Sequence, residues 1–191
     1  MRLRLAAVLL ALCSGTAFAQ VAEFGFNGGA MSLSGEELGS NYFLDAKWKF
    51  GFRITLNNWR FLGGEFGYNY ARHRLRIGRS GEGGEAGFAG HQGFVDGLAY
   101  ATPEGSRVRP FAAGGFHFTN YVFPGTSVTQ GSGSTKFGLN YGAGIKFRVA
   151  QNWLIRADFR QYWNGKPWAD IFGGRGRLRT NEISLGASFA L

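Results

Sequence analysis

The chain has 191 residues, of which 32 are glycine and 16% are aromatic, and its formal net charge is +9. This length normally forms one domain, and no stretch reaches the about 18 consecutive apolar residues that a membrane-spanning helix needs. Helical membrane insertion is therefore excluded, while the basic balance leaves nucleic acid, an anionic membrane surface, or solvated and internally paired charges as explanations.

The first residues have the three parts of a secretory signal peptide. Arg2 and Arg4 form the basic start, a short apolar stretch follows, and Ala17-Phe18-Ala19 is a small-x-small cleavage site. We therefore predict a signal peptide over residues 1–19 and a single domain over residues 20–191. The one cysteine leaves with the signal, which excludes disulfides from the mature chain. Secretion also argues against nucleic acid and makes lipopolysaccharide phosphates a candidate partner.

Eight segments of the remaining chain alternate apolar and polar residues with the period of two that is typical of β-strands. In chain order we predict strands over about residues 21–34, 42–56, 59–77, 91–101, 108–123, 136–149, 153–163 and 179–191. Several of them are far longer than the about 5–6 residues usual in globular sheets. They match membrane-spanning strands, which need about 9–11 tilted residues plus any extension into water.

The fourth and fifth segments have weaker patterns than the others. In the fourth, Asp96 lies among the apolar residues of one face. In the fifth, the apolar row shifts to the other face between Phe111 and Phe116, and a β-bulge near Gly114-Gly115 would explain that shift. The sequence leaves open which face of these two segments points inward.

The connections alternate between short turns and long loops. The short ones are 57–58, 103–106 and 150–152, and the longer ones, rich in glycine, serine and charge, are 35–41, 78–90, 124–134 and 165–178. Single-chain bacterial outer-membrane barrels have this arrangement, with an even number of strands and the short turns in the periplasm. We therefore predict an all-β fold, an eight-stranded antiparallel up-and-down transmembrane β-barrel with both termini periplasmic.

The polarity of the two faces separates a membrane barrel from a soluble one. A soluble lipocalin-like barrel places apolar residues inside and charges outside. Here the apolar faces are too bulky for an eight-stranded lumen, so we predict that the opposite faces point inward and that their charges pair across a plugged interior. The predicted inward charges are Glu23, Asp45, Lys47, Lys49, Arg53, Glu65, Lys136, Lys146, Arg148, Arg156, Asp158, Arg160 and Glu182. Trp59, Tyr100, Trp153 and Trp163 lie near strand ends and are predicted members of aromatic girdles.

Four motifs resemble the OmpA/OmpX-like family of eight-stranded outer-membrane β-barrels. They are RPFAAGG at 109–115, NYGAGIK at 140–146, NW at 152–153 and SLGASF at 184–189. The last strand also resembles the C-terminal insertion signal of these barrels, which implies recognition by the barrel-assembly machinery. The resemblance implies an integral protein of the cell outer membrane that contacts lipid and lipopolysaccharide. It also implies a structural or surface-binding role through the longer extracellular loops, with the extracellular ligand left open.

One segment offers a candidate catalytic element. Lipid A deacylases carry a His-x-Ser-Asn element on a late strand, whereas residues 160–165, in the corresponding place, contain neither histidine nor serine. His117-Phe118-Thr119-Asn120 imitates the spacing, and its histidine and threonine share one face of a strand. A rim histidine is the simpler interpretation, so we predict a non-catalytic protein without metal or cofactor. A lipid A deacylase-like enzyme and a narrow ion-conducting pore are the alternatives. His73 and His91 are predicted loop or rim residues.

Overall fold

The computed structural model describes residues 21–34, 37–39, 41–57, 59–78, 81–122, 133–173 and 176–191. These contain nine β-strands and one short helix. In chain order they are β1 Val21–Ser34, β2 Glu37–Gly39, β3 Tyr42–Asn57, β4 Leu62–Ile77, β5 Glu85–Tyr100, β6 Val108–Val122, β7 Ser134–Arg148, β8 Trp153–Gly165, α1 Ala169–Phe172 and β9 Arg177–Ala190. The predicted signal peptide lies outside the described residues and stays a prediction. Helix α1 has four residues, and no described helix is long and apolar enough to cross a membrane.

The eight long strands close into a barrel in which every neighbouring pair is antiparallel. Each strand pairs with the next along the chain, and β1 pairs with both β9 and β3. The first and last strands, β1 and β9, close the barrel. The β1–β3 ladder runs from Val21 opposite Asn57 to Ala30 opposite Trp48, and beyond it β2 pairs with the start of β3. The predicted eight-stranded antiparallel up-and-down barrel is therefore confirmed.

Short turns and long connections lie at opposite ends of the barrel, which we call the short-turn end and the long-loop end. The short-turn end joins β3 to β4, β5 to β6 and β7 to β8, whereas β2 and α1 are both part of long connections. Strand β5 begins at Glu85 rather than at the predicted His91. The reason is that Gly87 and Gly90 pair with β4 but carry no side chain that would reveal the alternation.

The outer and inner faces of the barrel have opposite polarity. Among large apolar residues on the outer wall, Phe137 is 77% exposed and Phe116 is 71% exposed, whereas Arg156 and Arg160 on the inner face are almost completely buried. A soluble barrel would show the reverse. The exposed apolar surface requires a lipid environment, because exposing so large an apolar patch to water would be energetically unfavourable.

A register shift in β3 overturns part of the predicted inner face. The β3–β4 ladder shifts by one residue between Ala46 and Lys49, as expected of a β-bulge. Because side chains alternate with a period of two, one extra residue exchanges the two faces of the strand. Lys49 points into the lumen, but Asp45 and Lys47, on the other side of the bulge, do not. The predicted inward orientation of Asp45 and Lys47 is therefore wrong.

A bulge in β6 is not the explanation of the shifted apolar row, since pairing on both sides of β6 is continuous through Gly114 and Gly115. The apolar row changes face for another reason. At the short-turn end the lumen itself is lined by a small apolar cluster of Leu98, Tyr100, Phe111 and Ala113. Tyr100 is consequently a buried lumen residue and not a girdle residue, whereas Trp59 and Trp153 are exposed and Trp163 is half-buried.

Candidate functional site

The middle of the lumen is occupied by a group of paired charges, which we call the central charge cluster. It consists of Arg53, Glu65, Asp96, Arg156, Asp158 and Arg160, all of them buried. Glu65 forms ion pairs with Arg53 at 3.7 Å, with Arg160 at 2.6 Å and with Arg156. Asp158 pairs with the same three arginines at distances of 2.9 to 3.2 Å. Asp96 pairs with Arg160 and accepts a hydrogen bond from Asn140 at 2.8 Å.

The strands bring these residues together from opposite walls of the barrel. Arg156, Asp158 and Arg160 alternate along β8 and therefore share its inner face. Glu65 on β4 and Arg53 on β3 reach them across the lumen. A buried charge is stable only when it is paired and its hydrogen-bonding groups are satisfied, and here each of the two carboxylates at the centre faces three guanidinium groups.

Further ion pairs extend the central charge cluster toward both ends. Toward the short-turn end, the Lys146 ammonium contacts the Glu23 carboxylate and donates to the Tyr100 hydroxyl at 3.0 Å. Arg109 pairs with Glu104, and its guanidinium lies 3.6 Å from the centre of the Tyr100 ring. Toward the long-loop end, Lys49 pairs with Glu182.

The lumen charges nearly balance. Among the described residues, six lysines and arginines and five aspartates and glutamates are buried. Glu104 and Arg148, both half-buried at the short-turn end and 3.6 Å apart, add one charge of each sign. A balanced set of this kind fills the interior with side chains held to one another. Such an interior does not have the excess of one charge that would select ions for passage.

An apolar group, which we call the cap cluster, closes the lumen at the long-loop end. Its buried members are Leu38, Leu44, Leu75, Phe88, Tyr121, Trp168 and Leu178. Leu38 comes from β2 and Trp168 from the connection just before α1, so two long connections fold back over the barrel instead of extending from it. The Trp168 ring lies 5.3 Å from that of Phe88, and its backbone N–H donates to the Ser134 hydroxyl at 3.1 Å.

The structure places most of the predicted inward charges in the lumen. Glu23, Lys49, Arg53, Glu65, Lys146, Arg156, Asp158, Arg160 and Glu182 are buried there. Arg148 is half-buried at the short-turn end, 3.6 Å from Glu104, and Lys136 is half-buried on β7. Asp45 instead pairs at 2.6 Å with Arg76, and Lys47 is exposed.

Three charged lumen residues were not among the predicted inward charges. They are Asp96, Arg109 and Glu104. Asp96 shares the inner face of β5 with Phe94 and Leu98, so the rule that apolar faces point outward would have placed it on the outer wall. Arg109 shares the inner face of β6 with Phe111, but an apolar inner face at this end of the lumen has no signal in the local sequence.

The three histidines differ from the predicted rim positions. His117 and His73 are both buried on the inner face; the His117 ring packs edge-on against Tyr162 at 5.0 Å, and His73 stacks on Phe88 at 5.2 Å. His91 lies on the outer wall, where its Nδ1 contacts the Tyr68 hydroxyl. Within the described ranges, no three His, Cys, Asp or Glu side chains are placed to hold a metal ion.

The sequence matches, over residues 5–190, the family described as outer membrane protein beta-barrel domain. Solved structures with the same fold include the outer membrane protein AlkL in lipid bilayers, at 15% identity, 93% coverage of both chains and a TM-score of 0.61. The N-terminal barrel domain of OprF from Pseudomonas aeruginosa has 13% identity, 89% coverage of this chain, 97% of that chain and a TM-score of 0.55.

Another solved barrel with this fold is Ail, the attachment invasion locus protein of Yersinia pestis, in complex with the heparin analogue sucrose octasulfate. It has 14% identity, 90% coverage of this chain, 99% of that chain and a TM-score of 0.56. At such identities the likeness shows a shared fold. None of the curated proteins compared with this sequence matches it.

Proposed function

Because the chain belongs to the outer membrane protein beta-barrel domain family, we propose that it is a sealed outer-membrane barrel that serves a structural or surface-binding role and neither conducts solutes nor catalyses. Its place in the outer membrane follows from the family and the fold. The observation that carries the sealed lumen is the central charge cluster, with Glu65 and Asp158 each held by three arginines.

Passage of a solute would require breaking this cluster and moving the cap cluster. Removing one partner of a buried ion pair costs about 3–5 kcal/mol, and several pairs share the same residues here. The cap cluster adds a second barrier, since Leu38, Leu44 and Leu178 are fully buried across the long-loop end. The narrow-pore alternative therefore has little support.

The orientation that fits this role places the long-loop end outside the cell and both termini in the periplasm. Short turns of single-chain bacterial barrels face the periplasm. The last strand, β9, ends at Ala190 and presents Ile183, Leu185 and Phe189 on the outer wall. An outer-wall row of this kind on β9 supports recognition by the barrel-assembly machinery during insertion.

A non-catalytic role is supported by the direction in which His117 points. A lipid A deacylase must present its histidine and nucleophile to lipid, whereas His117 and Thr119 are both buried on the inner face. His117 also has no hydrogen-bonded carboxylate to orient it, because both of its ring nitrogens lack a partner among the described residues. Mass spectrometry of lipid A from cells expressing wild type or His117→Ala tests this directly. We expect unchanged lipid A in both; a deacylated product that the variant abolishes would establish the enzyme.

Liposome swelling tests the sealed lumen. The mature chain is refolded into vesicles, and a heat-dependent shift in gel mobility verifies that the barrel has folded. We expect vesicles carrying the barrel to take up small sugars no faster than empty vesicles, while a general porin in parallel vesicles gives rapid swelling. Sugar uptake that increases with the amount of barrel would overturn the proposal.

A further inference from the structure

We propose that a groove on the outer wall of the barrel, near the long-loop end, binds one molecule of lipopolysaccharide through the phosphates and acyl chains of its lipid A. We call it the β7–β9 groove. It has a volume of about 690 Å³ and is lined on the outer face by Phe137, Leu139, Tyr141, Trp163, Gly165 and Arg177. The proposal rests on the orientation proposed above, with the long-loop end outside, and does not depend on a sealed lumen.

The walls of the groove suit an acyl chain or the apolar face of a sugar. Phe137 and Leu139 on β7 are among the most exposed apolar residues of the outer wall. Trp163 on β8 stands opposite Leu139, and Gly165, next along the same face, carries no side chain to fill the space. Aromatic residues at this height are typical of the interface between lipid and headgroups.

Positive charge lines one side of the groove. Arg177 pairs with Gly165 across the β8–β9 ladder, and the guanidinium of Arg179 lies 5.9 Å from the centre of the Trp163 ring. Both arginines are exposed, and neither forms an ion pair with a carboxylate of the described residues. On β4, at the same end of the barrel, the situation differs, because Arg74 pairs with Glu85 and Arg76 with Asp45. The two arginines of β9 are therefore available to an external anion.

A row of polar side chains borders the groove on the side of the membrane centre. The Tyr141 hydroxyl contacts Gln161, the Gln161 amide donates to Asn181 at 2.6 Å, and the Trp163 indole N–H donates to Gln161 at 2.8 Å. In the next row the wall is apolar again, with Phe159 beside Ile183. Amide and hydroxyl groups at this boundary match the level at which the linkages between sugar and acyl chain lie.

These features together select one class of occupant. An apolar groove with unpaired arginines on one side and amides on another fits an amphiphile that has an anionic, sugar-rich head. In the outer leaflet that amphiphile is lipopolysaccharide, whereas phospholipids with anionic heads belong to the inner leaflet. Charge complementarity supplies the preference for phosphate, since arginine binds phosphate with two parallel hydrogen bonds.

The test measures lipopolysaccharide binding by the full mature chain in phosphatidylcholine nanodiscs, with native mass spectrometry counting bound molecules. An exposed arginine near an anionic surface contributes roughly fivefold in affinity. The double variant Arg177→Gln/Arg179→Gln is therefore expected to bind about 30-fold more weakly than wild type. The matched control is Arg74→Gln/Arg76→Gln, which removes the same number of charges from the same end; we expect less than about a twofold change because those charges are already neutralised.

Two further measurements determine whether the bound phosphates are those of lipid A or those of any anionic lipid. Lipopolysaccharide stripped of its lipid A phosphates should bind wild type as weakly as intact lipopolysaccharide binds the double variant, and phosphatidylglycerol should not compete. If the control variant lost as much lipopolysaccharide affinity as the double variant, or if phosphatidylglycerol bound as tightly as lipopolysaccharide, the attraction to positive charge would be nonspecific and the proposed site would be overturned. Unchanged binding by the double variant would overturn it as well. Protease cleavage of the long connections on intact cells measures the orientation separately, and a gel-mobility shift verifies that each variant is folded.

Discussion

Replacement of Glu65 by alanine is expected to destabilise the barrel strongly. Its side chain is completely buried, accepts a hydrogen bond from the Thr55 hydroxyl at 2.8 Å and pairs with Arg53, Arg156 and Arg160. Removing one partner of a buried pair costs about 3–5 kcal/mol, because the opposite charge stays buried without compensation. The three arginines would then share only the carboxylates of Asp158 and Asp96, which leaves an excess of buried positive charge, so we expect Glu65→Ala to fall at the upper end of that range.

Equilibrium unfolding in urea, followed by tryptophan fluorescence of the barrel in lipid vesicles, measures this loss. Glu85→Ala provides the control, because Glu85 pairs with Arg74 at 2.9 Å with both side chains substantially exposed. Such a surface pair contributes about 0–1 kcal/mol. A Glu65→Ala barrel that loses no more stability than Glu85→Ala would refute the view that the lumen is held together by its charges.

Two other predictions concern packing and membrane placement. Gly142→Ala should lower the unfolding free energy by about 1–3 kcal/mol because the new methyl group would collide with the backbone of β8. Gly114→Ala should be tolerated, because the nearest atom to its new methyl group would be 3.8 Å away. Urea unfolding of both variants measures the difference, and equal stability of the two would contradict the prediction. Leu185→Arg, on the apolar outer face of β9 between Asn181 and the short-turn end, should cost about 2–4 kcal/mol in lipid vesicles. Val149→Arg at the short-turn end should cost only about 0–1 kcal/mol. A reversed order would show that the bilayer does not cover the middle of the barrel.

Much of the barrel could be predicted from local alternation alone. Strand β1 has the predicted bounds, and Arg156, Asp158 and Arg160 lie in the lumen because β8 alternates without interruption. In β3 the same reasoning fails for the residues that precede Lys49 in the chain. The sequence there continues to alternate, and the extra residue becomes visible only in the pairing with β4.

The cap cluster could not be predicted from the sequence, because its contacts join distant segments. Leu38 and Trp168 lie in stretches that resemble exposed loops, rich in glycine and polar residues. Each is buried only because the other long connection and the ends of β3, β4, β5, β6 and β9 come together over the lumen. Local patterns carry no information about contacts between distant segments. For the same reason they could not identify Glu65 on β4 and Asp96 on β5 as the partners of Arg160.

Single-channel recording in planar lipid bilayers tests the sealed lumen most directly. The mature chain, inserted in folded form and verified by its gel-mobility shift, should give no conductance steps over hours at either polarity, because the central charge cluster and the cap cluster both block the interior. A porin inserted into the same bilayers serves as the positive control. Reproducible conductance steps whose number rises with the amount of folded barrel would contradict the sealed lumen.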